Sequence, residues 1–268
     1  MKKRLSSLLA AAALCLAAAP ALAVTFGQPD GNGHPHVGNI LFERPEGYFS
    51  CSGTLLSPTV MLTAGHCTEE AGVPNVRTWV KFTPDITVNS GCSTRKCLNR
   101  FLDDPKNGWV QATAYPHPQY DDFNQFPATF DVGILVLAKP VTAPTYGTLP
   151  PLGFLETVSG ASNSFTVVGY GLQGIIQPFA SDEWRRYVGT VKLAETQSFS
   201  NGGQSAKFTN NPGTDGGTCF GDSGGPVFYG NTNTIVAVVS WGITPCIGAD
   251  YQFRTDIETT QDFVDLFF

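Results

Sequence analysis

The sequence has few charged residues and, after residue 23, no apolar run long enough to cross a bilayer. Only 14% of its 268 residues are charged and 42% are hydrophobic, which excludes a disordered chain and supplies a core for one large domain or two small ones. It also lacks Cys-x-x-Cys pairs, clustered histidines and any evident internal repeat. These absences argue against a zinc site, and we expect no metal and no cofactor.

Basic residues are outnumbered, with 16 Lys and Arg against 22 Asp and Glu, for a formal charge of −6. Residues 1–23 carry three positive charges and no acid, so their removal takes the formal charge to −9. Nucleic acids and anionic membrane surfaces are bound by basic faces. We therefore expect neither as a partner.

Residues 1–23 have the pattern of an export signal. Three basic residues at 2–4 precede an apolar run, and residues 21–23, Ala-Leu-Ala, form a small-x-small cleavage sequence. An uncleaved membrane anchor is the alternative, but the run is short for a span and Pro20 interrupts it. The sequence predicts cleavage before Val24 and a secreted protein, extracellular or periplasmic.

The cysteine count supports the same compartment. Of seven cysteines, Cys15 lies in the predicted signal, which leaves six, an even number for an exported chain. Six cysteines predict three disulfides, with fifteen possible connectivities. Metal ligation is the competing use, and the cysteine spacing does not favour it.

Short apolar or alternating runs between turn residues predict a β protein. The 29 glycines and the scarcity of helical periodicity favour all-β architecture, and only residues 256–268 have helical spacing. Residues 68–108 are interpreted as an elaboration of the scaffold, with one strand and a small loop containing Cys92 and Cys97. The predicted strands are residues 36–42, 49–56, 59–63, 76–82, 109–115, 131–137, 165–169, 186–193, 205–209, 226–229 and 234–240.

Residues 219–226, with the sequence CFGDSGGP, place Ser223 between small residues. Gly221 and Gly224 lack a Cβ, so the backbone can turn tightly and bring N–H groups close to a substrate carbonyl. A serine hydroxyl attacks an amide poorly unless a base and a group that orients the base are supplied elsewhere. In isolation this stretch is also compatible with an ordinary glycine-rich turn.

His66 and Asp131 are the candidates for these two supporting groups. His66 is one of four histidines and follows a predicted strand, a position that is more often structural than catalytic when it stands alone. Asp131 opens a buried strand, where an acid costs free energy unless a cation or a donor receives it. A protonated imidazole is such a partner.

Other residues compete for these roles. Asp121 and Asp122 lie in a polar loop, where solvated carboxylates are expected. His117, between two prolines, is interpreted as a loop histidine and not as a second base.

Three motifs occur in the order His, Asp, Ser: TAGHC at His66, DVGIL at Asp131 and GDSGGP at Ser223. Together they resemble the chymotrypsin-like (trypsin-like) serine peptidases across essentially the whole mature chain. The resemblance implies an all-β fold of two packed six-stranded antiparallel β-barrels with a C-terminal helix. Residues 24–142 would form the first barrel, 143–255 the second and 256–268 the helix.

The resemblance also implies roles for the residues. Ser223 would attack the scissile carbonyl, His66 would transfer the proton and Asp131 would orient the imidazole. The backbone N–H groups of Gly221 and Ser223 would bind the oxyanion. The protein is thus expected to be a secreted, monomeric serine endopeptidase acting on polypeptides.

Motif context and sequence proximity further suggest three disulfides, Cys51 with Cys67, Cys92 with Cys97, and Cys219 with Cys246. Ser240, Trp241 and Gly242 resemble the family's substrate-binding strand, which hydrogen-bonds an extended peptide. An ordinary core tryptophan is the alternative interpretation of Trp241.

Val24 and Asp222 suggest an activation mechanism without a propeptide. By resemblance to the family, signal cleavage would expose the Val24 ammonium, which would insert beside the Asp222 carboxylate and order the oxyanion loop. The sequence Thr25-Phe26-Gly27 departs from the family's usual small residues at this point.

Primary specificity is open at this stage. Gly217 takes the place of the aspartate that basic-specific members carry, and with Thr218 it predicts a pocket for uncharged side chains. Asp250, on another pocket wall, would instead restore a preference for basic side chains.

Two other functions use the same fold. One is a catalytically inactive binding protein, although such proteins usually lose a triad member and all three residues are present here. The other is an esterase that uses the same triad.

Overall fold

The computed structural model describes residues 24–86, 90–159, 163–176, 179–181, 183–197, 202–214, 216–243 and 245–268. The predicted signal, residues 1–23 with Cys15, lies outside the described residues. The strands are β1 (Gln28–Pro29), β2 (Val37–Arg44), β3 (Gly47–Leu55), β4 (Val60–Thr63), β5 (Glu69–Glu70), β6 (Val73–Pro74), β7 (Arg77–Lys81), β8 (Val110–Pro116), β9 (Gly133–Leu137), β10 (Phe165–Gly169), β11 (Gly174–Ile176), β12 (Phe179–Ser181), β13 (Tyr187–Val191), β14 (Leu193–Glu195), β15 (Ser205–Asn210), β16 (Pro226–Tyr229), β17 (Ile235–Gly242) and β18 (Gly248–Arg254). The helices are α1 (Arg95–Asp103) and α2 (Glu258–Asp265).

Six antiparallel strands close the first barrel in the order β2-β3-β4-β9-β8-β7. β2 is buried along its whole length, whereas β8 alternates between exposed and partly buried residues, as expected of a strand with one face in solvent. Every strand of this barrel coincides with a predicted strand to within a few residues. The alternation of apolar and polar residues therefore predicts the barrel well.

The second half of the chain forms an eight-stranded antiparallel sheet, β1-β13-β10-β16-β17-β18-β15-β14. Lys192 alone separates β13 from β14, and its backbone N–H and carbonyl bond Thr209 of β15. If β13 and β14 are counted as one bent strand, six strands form a ring that this bend closes. The predicted all-β class with two six-stranded units and a C-terminal helix is confirmed.

One cluster of buried apolar residues spans both barrels, and the second barrel has a further cluster of its own. Phe228, Ile235 and Phe253 of the second barrel pack with buried residues of the first, and Phe263 and Val264 of α2 join the same cluster. Burial of this apolar surface is the main force that fixes the two barrels against each other. The cleft between them is therefore built on a rigid base.

Helix α1 lies where the sequence analysis predicts only a loop. The Thr94 hydroxyl accepts a hydrogen bond from the Cys97 N–H and caps the helix. Leu98 and Leu102, one turn apart, pack against the buried Trp79. The sequence interpretation missed the helix because its polar outer face resembles a solvated loop.

Two chain ends differ from the predicted boundaries. β1 pairs with β13, so the segment after Val24 lies against the second barrel and not the first, because its backbone hydrogen-bonds Tyr187 and Val188 there. Helix α2 is shorter than the predicted 256–268. Neither α1 nor α2, the helices of the described residues, has the length and apolarity needed to span a membrane.

Candidate active site

His66 lies in a single 3-10 turn, Gly65–Cys67, that follows β4 directly. The Cys51–Cys67 disulfide ties this turn to β3, with the two Cα atoms 6.2 Å apart. A Cβ on Gly65 would lie 2.9 Å from the Tyr120 ring and 3.2 Å from Asp131 Oδ1. Glycine is thus required for the turn to approach the segment that carries Asp131.

Asp131 is fully buried and its carboxylate accepts hydrogen bonds from His66 and Ser240. His66 Nδ1 lies 2.9 Å from Oδ2 and 3.1 Å from Oδ1, and the His66 backbone N–H donates to Oδ1 at 2.9 Å. The Ser240 hydroxyl donates to Oδ2. Because a carboxylate only accepts, the proton of the neutral imidazole lies on Nδ1, which leaves Nε2 free to take a proton.

Each partner changes the other's pKa. Burial alone would lower the pKa of His66, but the charge and hydrogen bond of Asp131 outweigh it and raise that pKa. Burial would raise the pKa of Asp131. The attraction of the His66 charge and the hydrogen bonds donated by His66 and Ser240 outweigh burial and lower that pKa. The pair is therefore an ionised carboxylate beside an imidazole of increased basicity.

Ser223 lies in a turn that requires glycine at the next residue. Gly224 has φ of +78°, and a Cβ there would collide with Thr63 Oγ1 and the Ser52 carbonyl. Ser52 also bonds the turn directly, through its N–H to the Ser223 carbonyl at 2.7 Å and its hydroxyl to the Gly221 carbonyl at 2.9 Å. The Ser223 turn is thereby fixed to β3, the strand that also anchors the His66 turn.

His66 and Ser223 line one cleft of about 510 Å³ whose walls come from both barrels. Within the described residues, no direct hydrogen bond joins the His66 imidazole to the Ser223 hydroxyl. Unliganded active sites often hold this pair more loosely than their substrate complexes do.

Two backbone donors in the Ser223 turn are free. The N–H groups of Gly221 and Ser223 bond no acceptor in the described part of the chain, whereas those of Asp222 and Gly224 bond backbone carbonyls. Gly221 has φ of +97°, a conformation that favours glycine. These free N–H groups are available to a ligand oxygen.

Ser240, Trp241 and Gly242, at the end of β17, line the cleft as predicted. The Trp241 ring stacks on Tyr251 with centroids 3.9 Å apart, so it forms part of a fixed wall. The Cys219–Cys246 disulfide joins the two chain segments on either side of this part of the cleft. This pair, Cys51–Cys67 and Cys92–Cys97 are the three pairs that the motif context suggests.

Asp250 lines the same part of the cleft and is almost completely buried. Its Oδ2 accepts hydrogen bonds from Asn210 Nδ2 at 2.8 Å and from Thr218 N and Oγ1 at 2.8 and 2.6 Å. Among the residues that the structure describes, only Asn210 donates to Oδ1, and a Cβ on Gly242 would lie 2.6 Å from that oxygen. Burial raises the pKa of Asp250, opposed by these donors.

Gly217 is buried and is absent from the cleft wall, contrary to its predicted role in substrate binding. The reason is the fully buried Asn210: a Cβ at residue 217 would collide with its Oδ1 and would lie 2.6 Å from Thr25 Oγ1. Asn210 Oδ1 accepts the Thr25 hydroxyl at 2.6 Å while its amide donates to Asp250. Gly217 thus leaves space for Asn210, the residue that hydrogen-bonds Asp250. Of the predicted pair Gly217 and Thr218, only Thr218 lines the cleft.

Val24 and Asp222 do not bond each other in the described residues. Val24, joined to residue 23, is buried in the core of the second barrel. Asp222 is buried too, and its carboxylate accepts the N–H groups of Gly171 and Cys219 at 2.8 and 2.9 Å. Burial raises the pKa of Asp222 to about 7, although these two hydrogen bonds act to lower it.

The competing residues take other positions. Asp122 lines the cleft and accepts the Tyr120 hydroxyl at 3.3 Å, and it makes no hydrogen bond to His66. Asp121 accepts the Gln125 N–H at 3.4 Å in the same loop. His117 is buried outside the cleft, stacked on Phe130, which agrees with a structural role.

Sequence reasoning missed two contributors to the site. Ser240 was assigned only to substrate binding, yet it donates to Asp131, and Arg44 was not assigned any role although it lines the cleft. A buried arginine at the end of an apolar strand was the signal available for Arg44.

One group of potential metal ligands occurs in the described residues, at Cys51, His66 and Cys67. Both sulfur atoms are consumed by the Cys51–Cys67 disulfide. The group therefore offers no thiolates to a metal ion.

Comparisons with known proteins agree with this geometry. The family model described as Trypsin matches residues 25–264. The chain is 30% identical to a trypsin of Saccharopolyspora erythraea over 231 residues, 81% of this chain and 86% of that protein. It is 28% identical to a trypsin-like protease of Streptomyces glaucescens, covering 84% of this chain and 81% of the relative.

Solved structures share the fold at low identity. The structure of HL collagenase matches with a TM-score of 0.64 and 17% identity, covering 91% of this chain and 97% of that one. The thermostable serine protease AL20, from an extremophilic microorganism, matches with a TM-score of 0.57 and 17% identity over 87% and 96% of the two chains. The chain belongs to the trypsin family of serine endopeptidases.

Proposed function

We propose that Ser223, His66 and Asp131 carry out peptide-bond hydrolysis in this endopeptidase through an acyl-enzyme. The observation that carries the proposal is the hydrogen-bonded pair of His66 Nδ1 and the buried Asp131, in the cleft that Ser223 also lines. This pair leaves Nε2 as the base on the side away from the carboxylate. Ser240 supports it by donating to Asp131.

The chemistry balances with these residues alone. His66 Nε2 takes the Ser223 proton as Oγ bonds to the scissile carbon, and the carbonyl electron pair moves onto its oxygen. The free N–H groups of Gly221 and Ser223 stabilise that oxyanion. His66 then gives its proton to the leaving amine as the oxyanion collapses and the C–N bond breaks. In the second half of the reaction, His66 takes a proton from a water molecule as the water oxygen bonds to the acyl carbon, and returns that proton to Ser223 Oγ as the ester bond breaks and the acid leaves.

We assign the substrate class from Asp250. Its carboxylate lines the cleft without a cationic partner in the described residues, and Gly242 places no side chain beside Oδ1. A lysine or arginine side chain of a polypeptide substrate supplies the missing positive charge. Gly217, the basis for predicting a neutral pocket, instead accommodates Asn210.

We further propose export by residues 1–23 and a mature N-terminus at Val24, without a propeptide. In the described part of the chain the buried Asp222 has no cationic partner, and an ammonium freed at Val24 would supply one. Val24 must then leave the packed position it holds while residue 23 is attached. The stabilisation is complete below the free α-amino pKa of about 7.7–8.0 and fades as pH rises through the higher value of the paired group.

The test uses the exported, oxidised protein. N-terminal mass spectrometry is expected to find Val24 first, and an enzyme extended by one alanine is expected to lose most of its peptide-hydrolysing activity. Unchanged activity of the extended enzyme contradicts the Val24 pairing alone.

Ser223→Ala tests the chemistry itself, with Ser93→Ala, an exposed serine near α1, as the matched control. Ser223→Ala is expected to lose at least about a thousandfold in peptide hydrolysis. Retained activity in Ser223→Ala contradicts the acyl-enzyme, and an inert wild-type enzyme favours a binding protein on this fold. Turnover of esters without turnover of peptides favours an esterase.

A further inference from the structure

Arg44, the last residue of β2, is almost buried at the wall of the cleft. Its guanidinium lies over the rings of Phe42 and Phe49, 4.7 and 5.6 Å from their centroids. These rings fix the plane of the group, since an arginine that stacks on an aromatic face loses much of its freedom. Arg44 is therefore held rigidly before any substrate binds.

In the described structure this guanidinium donates four hydrogen bonds, and all four acceptors lie in the short segment of residues 66–75. Nη2 donates to the His66 carbonyl at 2.8 Å and to the Glu69 carbonyl at 2.9 Å. Nη1 donates to Glu70 Oε2 at 2.6 Å, and Nε donates to Asn75 Oδ1 at 3.1 Å. Asn75 in turn donates to the Cys67 carbonyl at 2.8 Å.

These bonds complete the support of the His66 backbone. The N–H of His66 is held by Asp131 and its carbonyl by Arg44, so both polar groups of the residue are fixed from different elements. The Cys51–Cys67 disulfide holds the next residue. With the backbone fixed on both sides, the orientation of the imidazole depends on its side-chain torsions, its hydrogen bonds to Asp131 and its contact with the Phe123 ring.

We propose that Arg44 is a positioning residue for His66, holding the histidine turn so that the imidazole meets both Asp131 and the Ser223 hydroxyl. The proposal deepens the proposed function and rests on it, because it assigns no role unless His66 is the base. Arg44 touches neither substrate nor Ser223 in this scheme and acts through the His66 carbonyl.

Arg44 also places a positive charge near the base. Among the described residues, Asp131 before β9, Asp122 in the loop after β8 and Arg44 on β2 act electrostatically on His66. Tyr120 packs against Gly65, and Glu69 and Glu70 on β5 line the same cleft as His66. Arg44 opposes protonation of the imidazole, whereas Asp131 and Asp122 favour it. Glu70, about half exposed, partly neutralises Arg44 through their ion pair.

The experiment compares Arg44→Gln, Arg44→Lys and Glu70→Gln in the full, exported enzyme. Arg77→Gln is the matched control, because Arg77, on β7, forms an exposed ion pair with Asp103 of α1 and does not line the cleft. kcat and KM for one peptide substrate are measured from pH 5 to 9, with Tm recorded for each variant.

Arg44→Gln is expected to lower kcat about 10- to 100-fold with KM changed less than about threefold, because the base is misplaced while the specificity pocket is intact. The acid limb of its kcat profile moves to higher pH, since a cation near the imidazole is lost. Glu70→Gln moves that limb to lower pH. Arg44→Lys keeps the limb in place but lowers kcat, because one ammonium cannot bond all four acceptors.

Unchanged kcat and an unchanged acid limb in folded Arg44→Gln overturn the proposal. If Arg44→Gln does not fold, the other two variants test the proposal. It is overturned if Arg44→Lys has the kcat of wild type and the acid limb of the kcat profile of Glu70→Gln lies at the same pH as in wild type. Ser223→Ala separates the two levels of inference. An active Ser223→Ala refutes the proposed chemistry, whereas an inactive Ser223→Ala beside a fully active Arg44→Gln refutes only the role of Arg44.

Discussion

Asp250→Asn is the substitution that examines the substrate class most closely. The variant keeps the volume of the side chain and removes one negative charge from the cleft wall. Asn210 and the Thr218 N–H, which now donate to Asp250, then face an amide that accepts through only one atom. We expect the charge to matter only for substrates that carry a cation into the pocket.

The magnitude follows from the burial of the carboxylate. Two charges about 4 Å apart gain about 4 kcal/mol at an effective dielectric constant of about 20, and measured costs of removing one partner of a buried pair are about 2–5 kcal/mol. A loss of about 3 kcal/mol corresponds to a decrease of roughly 150-fold in kcat/KM for arginine and lysine substrates. Substrates with leucine or alanine at the same position are expected to change less than about threefold.

The assay is a fluorogenic peptide panel varied at the residue before the scissile bond, measured for wild type, Asp250→Asn and the exposed control Asp262→Asn. Burial raises the pKa of Asp250, so its charge is lost at higher pH than that of an ordinary carboxyl. The ratio of arginine to leucine kcat/KM in wild type is therefore expected to fall as pH decreases. Use of the ratio cancels the protonation of His66, which slows both substrates.

Two results refute this reasoning. One is a wild-type enzyme that prefers uncharged residues, which returns the assignment to a neutral pocket. The other is an Asp250→Asn variant that loses activity equally on arginine and leucine substrates, which makes Asp250 a purely structural residue of the pocket.

Three further outcomes are expected. Ser240→Ala removes a hydrogen-bond donor from Asp131, so the pKa of Asp131 rises. We expect kcat to fall about tenfold and the acid limb of the kcat profile to move to higher pH; an unaltered pH profile contradicts this. Replacing both Cys219 and Cys246 with alanine removes the disulfide that closes a loop with a sequence separation of 27 residues. The free energy of unfolding measured with urea is expected to fall by about 3.5 kcal/mol and KM to rise; equal stability of the variant and wild type contradicts this. Burial lowers the pKa of His36 to about 4, so below about pH 6.5 the unfolded chain binds a proton that the folded chain does not. As pH falls from 7.5 to 4.5, the free energy of unfolding of wild type is expected to decrease by about 2–3 kcal/mol relative to that of His36→Phe; parallel pH profiles of the two proteins contradict this.

The barrel strands and the three motif residues were accessible from sequence because they depend on local pattern. Short apolar runs between turn residues predict β10 and β16 to the residue, and glycines around Ser223 indicate a turn that approaches other backbone closely. β18 was missed, because its sequence GADYQFR contains an acid and a base that are both buried in the structure. Asp250 is bonded by Asn210 and Thr218, and Arg254 by Glu156 as well as by the nearby Asp256. No local pattern reveals the distant partners.

The pocket illustrates the same limit. The sequence suggested a neutral pocket because residue 217 is glycine. In the structure Gly217 leaves space for the Asn210 side chain, which donates a hydrogen bond to Asp250. Thr25, which bonds the other end of Asn210, is 185 residues away in the chain. Long-range hydrogen bonds of this kind appear only when tertiary packing brings the groups together.

The central claim is that the His66–Asp131 pair activates the hydroxyl of Ser223. The most direct measurement is the rate of covalent labelling by a fluorophosphonate, with the modified residue located by mass spectrometry, in wild type and in His66→Ala. We predict a single adduct on Ser223 in wild type and a labelling rate at least about a thousandfold lower in His66→Ala. An adduct on another residue, or equal labelling rates in the two proteins, contradicts the account.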